Sequence, residues 1–354
     1  MKGLVLSGGK GTRLRPLTYT GAKQLVPVAN KPVLFYALED LVEAGISDIG
    51  IVISPETGDQ VKQAVGDGSR FGARFTFLLQ PEPLGIAHGI KIAEEFMHGE
   101  PFVLFLGDNF IRGGIVPQVR AFREGQMDAQ IILYEMKDPS SMGVAVLDAE
   151  SRVQRVLEKP KQFVSPYAVI GIYMFGPCVF DAVRRIKPSA RGELEITDTI
   201  QYLVDSHRDV RAHLLNGVWI DTGRIGDMLE ANRLVLDIMP ERNEGEIQDS
   251  QIEGRVVLQK GARVVNSEIR GPAIIGERTL VEDAYVGPYT SINHDCVVRN
   301  CEIEHSIVLE HSRLQDLHTR VADSLIGRNV ELTRAKGKTK TLRLMLGDHS
   351  QVGI

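Results

Sequence analysis

Through the first 240 residues, short apolar runs alternate with stretches of helical spacing; beyond about residue 250 the apolar positions recur every five or six residues instead. In the first part the order runs Gly3 to Leu6, Val33 to Ala44, Asp48 to Ile53, Gly58 to Val65, Arg74 to Leu79, Ile86 to Phe96 and Phe102 to Leu106. Such alternation predicts an α/β fold, with parallel strands crossed over by helices and ligands at the strands' carboxyl ends.

The second pattern predicts something else. Val264, Ile269, Ile275, Val281, Val286, Ile292, Val297, Ile303, Val308 and Leu314 are spaced too widely for a flat strand and too widely for a helix. Steps of five or six fit a β-helix, in which each coil sends one apolar residue per side into a narrow core. The expected division is therefore a first domain over 1–240, a polar linker over 241–250 and a β-helix over 251–354. The tail from Arg334 to Arg343 carries Lys336, Lys338 and Lys340 with no acid, and reads as a solvated basic face.

The first predicted strand runs into Ser7-Gly8-Gly9-Lys10-Gly11-Thr12-Arg13-Leu14-Arg15-Pro16-Leu17-Thr18, with Lys23-Gln24-Leu25-Val26-Pro27 shortly after. Three glycines let backbone N–H groups approach phosphate oxygens, and Arg13 and Lys23 add positive charge. A P-loop is excluded because Gly11 follows Lys10, and a dinucleotide fingerprint because Leu14 stands where a small residue is needed. This order of residues resembles the signature of the sugar-phosphate nucleotidyltransferases.

The resemblance extends along the chain. It implies a Rossmann-like catalytic domain with a mixed, mainly parallel sheet, followed by a left-handed β-helix of the hexapeptide-repeat kind. At the nucleotide it implies Leu6, Gly8, Gly9, Gly11, Thr12, Arg13, Gln80, Pro83, Gly85, Gly107 and Asp108. Gly143, Glu158, Lys159 and Tyr173 are implied at the sugar phosphate, and Asp108 and Asp221 as ligands of Mg²⁺. Arg13, Lys23, Asp108, Lys159 and Asp221 are the implied catalytic set. Two departures stand out: Ser7 where many members have Ala, and Ile86-Ala87-His88 in place of the more usual run.

The residue types suit that chemistry. Attack of a sugar phosphate on an α-phosphorus needs no general base, because the nucleophile is already ionised; it needs two polyanions held in line and charge neutralised on the leaving pyrophosphate. Hard carboxylate oxygens suit Mg²⁺. The Gln80 amide can accept from a pyrimidine N3–H and donate to O4. The resemblance thus implies thymidylyl transfer from dTTP to α-D-glucose 1-phosphate. A UTP-using enzyme, or a bifunctional one with acyl transfer at the His294, His305 and His311 of the repeats, are the alternatives. Plainer roles exist for several positions: Asp221 as a helix cap, Glu158-Lys159 as an exposed ion pair, Tyr173 as a core aromatic.

Composition narrows the field. The 354 residues are 43% hydrophobic and 25% charged, enough for a sizeable core, and the formal net charge of −5 with 6% aromatic residues argues against a polynucleotide partner. Three cysteines, Cys178, Cys296 and Cys301, lack metal-ligand spacing and read as reduced thiols. The apolar run before Ser7 is too short for a signal peptide, so a cytoplasmic protein is expected, assembled as a homo-oligomer with flat β-helix faces suited to self-association.

Overall fold

The structure, a computed structural model, describes residues 1–9, 11–334 and 348–353. Lys10 and the basic tail positions Lys336, Lys338, Lys340 and Arg343 lie outside the described residues. The chain forms two compact units, one of Met1–Lys10, Gly21–Leu25 and Val33–Asp221, the other of Gly11–Thr20, Val26–Pro32 and Thr222–Ile354.

The first unit is built on a nine-stranded sheet. Lys2–Leu6 lies at its centre, paired in parallel with Asp48–Ile53 on one side and Phe102–Leu106 on the other; Arg74–Leu79 continues the parallel part beyond Asp48–Ile53. Tyr167–Phe175 joins Phe102–Leu106 antiparallel and pairs with Ala129–Glu135 and Gly143–Leu147; Val153–Glu158 and Val210–Leu214 complete the sheet. Apart from Lys2, the two central strands carry no polar side chain, because both faces are covered. The helix Val33–Glu43 shows how: Leu34, Ala37, Leu38 and Leu41 recur at helical spacing and all are fully buried against one face. Ala87, Ile90 and Met97 cover the other. A separate two-stranded antiparallel ladder pairs Val218–Asp221 with Asn109–Arg112.

In the second unit three parallel sheets run side by side along a left-handed β-helix, and residues seventeen apart meet on successive coils. Its core is the apolar set expected from the spacing, with one correction: Val298, not Val297, is fully buried, because the ladder sets Val298 opposite Val281 and alternation turns Val297 away. Corners fall to Asn266, Asp283 and Asn300, which tolerate the left-handed backbone found there, and Asn266 donates to Asp283 across 2.6 Å.

The stretch expected as a linker is also structured differently. Arg242–Asn243 and Glu246–Gln248 pair in register with Val257–Leu258 and Arg263–Val265, so they form the first coil; a terminal coil has only one neighbour to cover, which is why its residues are polar. The longest segment of the second unit starts at Thr222, ahead of residue 241, and takes in the helix Ile225–Leu236 with its buried Asn232. Asn232 Oδ1 accepts from Ala29 N at 2.9 Å and Ser291 Oγ at 2.6 Å, while Nδ2 donates to Tyr289 O at 3.0 Å.

Replacing Asn232 by Ala leaves the buried Ala29 N–H and the buried Ser291 hydroxyl without this partner, each worth about 1–3 kcal/mol. Denaturant titration of Asn232→Ala is expected to show a loss of about 2–4 kcal/mol; an unchanged midpoint would exclude this junction as a stabilising contact.

Candidate active site

Parallel register sets four strand ends in a row. Gly107 N donates to Leu6 O at 3.0 Å, Ser7 N to Val52 O at 2.8 Å and Gln80 N to Ile53 O at 2.9 Å. The residues just beyond the strands, Asp108, Ser7 to Gly9, Ser54 and Gln80, therefore adjoin one another. A Cβ on Gly8 would stand 3.4 Å from Gln80 Oε1, and one on Gly9 would stand 3.0 Å from Lys23 Cε. Ser7 Oγ is buried and has no hydrogen-bond partner among the described residues.

Lys23 Nζ donates to Asp108 Oδ2 in an ion pair whose two side chains are 16% and 10% exposed. Burial alone would raise the Asp108 pKa, but the Lys23 charge and hydrogen bond, with the Asn109 amide at 3.2 Å, hold it below the usual carboxylate value. Asn109 is itself fixed: its Oδ1 accepts from Trp219 Nε1 at 2.6 Å and from Gly171 N at 3.3 Å. The two-stranded ladder sets Asp221 directly opposite Asn109, one residue from Asp108. Two carboxylates and a lysine thus come from three distant parts of the sequence.

The loop from Pro81 to Leu84, including Pro83, is exposed, and it is closed at Gly85. Gly85 has φ +100, and a Cβ there would lie 2.5 Å from Leu194 O and 2.9 Å from Leu194 N. Leu194 earns that proximity by pairing on both sides: its N–H donates to Leu84 O at 2.8 Å and its carbonyl accepts from Ala87 N at 3.2 Å. Gln80 Nε2 donates to Gly85 O at 3.2 Å and lies 3.1 Å from His88 Nδ1.

A second group of predicted residues assembles around Glu158. Gly143 is its partner on the neighbouring strand, and a Cβ on Gly143 would run into the Thr197 methyl at 2.7 Å. Thr197 Oγ1 donates to Glu158 Oε2 at 3.2 Å, Arg191 to Oε1 at 3.0 Å, and Lys159 Nζ lies 3.4 Å from Oε1. Tyr173 is 3% exposed, stacks on Phe175 and belongs to the core; burial, then the Glu158 charge, raises its phenol pKa. Arg191 and Thr197 carried no sequence signal, and His88 stood out only as part of the departure Ile86-Ala87-His88. Arg191 reads as part of a polar loop, and only folding brings it beside Lys159's neighbour, where Glu195 also anchors it at 2.8 Å.

Gly11, Thr12 and Arg13 belong to the second unit. Gly11, at φ 60, turns the chain into the short 3₁₀ helix Thr12–Leu14, and Arg13 is exposed on it. Its charge is felt by Asp227, whose pKa burial raises while Arg224 and Arg13 oppose the rise. The repeat histidines stand at or beside coil corners: His294 meets Asp295, itself held by Arg278 at 2.6 Å, and His305 meets Asp323. Cys178, Cys296 and Cys301 are free, and burial pushes the Cys296 thiol up to about 11.

Residues 2–238 match the Nucleotidyl transferase family. The chain is 48% identical over 355 residues to a glucose-1-phosphate thymidylyltransferase of Streptomyces griseus, and 49% identical over 356 residues to one of Streptomyces antibioticus, covering 100% of this chain and 99% of each relative. It is 41% identical over its whole length to the low-salt glycan biosynthesis nucleotidyltransferase of Haloferax volcanii. A crystal structure from Bacillus anthracis, designated a glucose-1-phosphate thymidylyltransferase and holding sucrose, superposes with a TM-score of 0.64 at 36% identity, over 68% of this chain and 98% of that one. Among the described residues no helix is long and apolar enough to cross a membrane.

Gly85→Ala combines a strained positive φ, itself costing about 1–3 kcal/mol, with a clash against Leu194 backbone. Gly72, at φ +73 with nothing within 4 Å of its Cβ, supplies the comparison. Unfolding midpoints are expected to fall further for Gly85→Ala than for Gly72→Ala; equal losses would show that the Leu194 clamp yields freely.

Proposed function

The chain belongs to the nucleotidyl transferase family, and within that family we propose that it transfers a thymidylyl group from dTTP to α-D-glucose 1-phosphate, releasing pyrophosphate. One observation carries the reading: Gly8, Gly9, Gln80 and Asp108 lie along a single row of strand ends, and Lys23 faces the Asp108 carboxylate. Full-length relatives named for that reaction supply the base and the sugar.

In this reading the glycine backbone and the Ser7 hydroxyl meet phosphate oxygens, and Gln80 meets the base. Lys23 neutralises charge on the triphosphate. At the other end Glu158 accepts from sugar hydroxyls and Lys159 meets the sugar phosphate. Arg191, whose guanidinium reaches Glu158, adds a second cation there. A guanidinium fork suits a phosphate better than an ammonium does. With both reactants held, an oxygen of the sugar phosphate attacks the α-phosphorus in line with the departing pyrophosphate, and no side chain has to remove a proton.

The donor set suits Mg²⁺. Two carboxylates are at hand, Asp108 and, opposite the next residue in the antiparallel ladder, Asp221; the Lys23 charge holds the Asp108 pKa below its usual value. Mg²⁺ typically takes one or two carboxylates and completes its shell with waters and phosphates. When bound it supplies charge neutralisation for the phosphates. Lys23, which now faces Asp108, then serves the phosphate oxygens.

The β-helix has a structural role in this proposal, as a surface for homo-oligomer assembly. His294 and His305 each answer to a neighbouring aspartate, which gives them a place without acyl transfer.

Pyrophosphate release with glucose 1-phosphate and Mg²⁺ is expected to be fastest with dTTP when UTP, GTP and ATP are run in parallel. Preference for another nucleotide would overturn the thymidylyl assignment. Asp108→Asn keeps the shape of the side chain and removes its charge; kcat is expected to fall by about 100-fold or more with circular dichroism unchanged. Near-normal turnover would remove Asp108 from the mechanism.

A further inference from the structure

We infer that His88 is a specificity-determining positioning residue: with the Gly85 carbonyl it holds the Gln80 amide in one orientation, so that the amide oxygen alone is offered to the base. This rests on the proposed reading of Gln80 as the residue that meets the base.

The geometry leaves the amide little choice. Its nitrogen has two hydrogens and no acceptor capacity. Gly85 O, at 3.2 Å, takes one hydrogen, and His88 Nδ1, at 3.1 Å, lies on the same nitrogen. A carbonyl cannot donate, so turning the amide over would set Oε1 against Gly85 O with no proton between them. Nδ1 is therefore the ring's acceptor, and the ring proton sits on Nε2. Burial, then Lys91, lowers the His88 pKa against the opposing pull of Glu82, which keeps the accepting, neutral ring at pH 7. Both N–H groups of Gln80 are then used inside the protein. What remains is Oε1, on the side of Gly8 and the strand ends.

His88 is well placed to hold this. It sits on the helix Ile86–Ile92, whose next residue, Gly89, packs so closely on Leu6 that a Cβ would stand 2.9 Å from Cδ2. Gly85, the other anchor, is clamped by Leu194. The two groups that orient the amide thus come from rigid surroundings.

A fixed acceptor sorts bases by their ring nitrogen. Thymine and uracil present N3–H and pair with it; cytosine presents a lone pair at that position and is repelled. The lock therefore selects a ring N–H and is blind to the thymine methyl.

The test is direct binding of dTTP and dCTP to the full-length protein by calorimetry, without sugar phosphate, for the unsubstituted chain, His88→Leu and His88→Asn. The unsubstituted protein is expected to favour dTTP by about 100-fold or more. Leucine removes the acceptor and frees the amide to turn, so the ratio is expected to fall by about tenfold or more. Asparagine, whose Oδ1 can accept in place of Nδ1, is expected to restore most of it. A purely structural His88 would weaken both nucleotides together and leave the ratio standing. An unchanged ratio in His88→Leu, or equal affinities in the unsubstituted protein, overturns the inference. Pyrophosphate release with glucose 1-phosphate is assayed separately, so a failure of the proposed reaction appears there while the binding ratio still reports on His88.

Discussion

Four parallel strands in fixed register are the constraint on which the first unit depends. Leu6 is paired with Leu106 on one side and Val52 on the other, and Ile53 with Leu79. Residues that follow these positions land in one row whatever their distance in sequence, so Ser7, Asp108 and Gln80 become neighbours through backbone hydrogen bonds alone. The register is strongly specified because the strands are buried on both faces, and a slip of one residue would turn every side chain to the opposite layer. The precision of the site is thus inherited from the core.

The row also explains how charge is kept there. Lys23 and Asp108 are both largely buried, and each is a costly group to hide without the other. The Lys23 charge holds the Asp108 pKa below its usual value against the pull of burial. A polyanion that brings its own cation offers each a new partner of the same sign as the old one, so charge balance is preserved as ligand enters. Around Glu158 the arrangement is similar, with Lys159 and Arg191 gathered about one carboxylate. The two groups are tied through main chain: Asn109 reaches Gly171, and Leu194 pairs with Leu84 and Ala87.

The second unit solves a different problem by repetition. Each coil covers the next, so one apolar residue per side suffices, and Val264, Val281, Val298 and Leu314 stack in one file. Its corners demand left-handed backbone, which Asn and Asp accept at low cost. Where a helix meets the coils, a single buried amide, Asn232, satisfies a backbone N–H, a hydroxyl and a carbonyl at once. The family match ends at residue 238, before the first coil of this β-helix.

What was legible from residues alone were features written in local order. The strand and helix alternation, the glycine loop and the five-to-six spacing each depend on the period of one backbone geometry, and a period is visible in a single chain. Even the error at Val297 is of that kind: two adjacent valines satisfy the spacing equally, and only pairing with Val281 decides between them. Polar outer coils looked like a linker because a terminal layer lacks a second neighbour. Tertiary structure alone decided which side chains meet. Arg191 beside Glu158, His88 against Gln80, Asp221 opposite Asn109 and Leu194 clamping Gly85 are contacts across layers, set by register and packing between segments far apart in sequence. Local order has no variable that records such distances, so the kinds of chemistry could be read from the sequence while their partners could not.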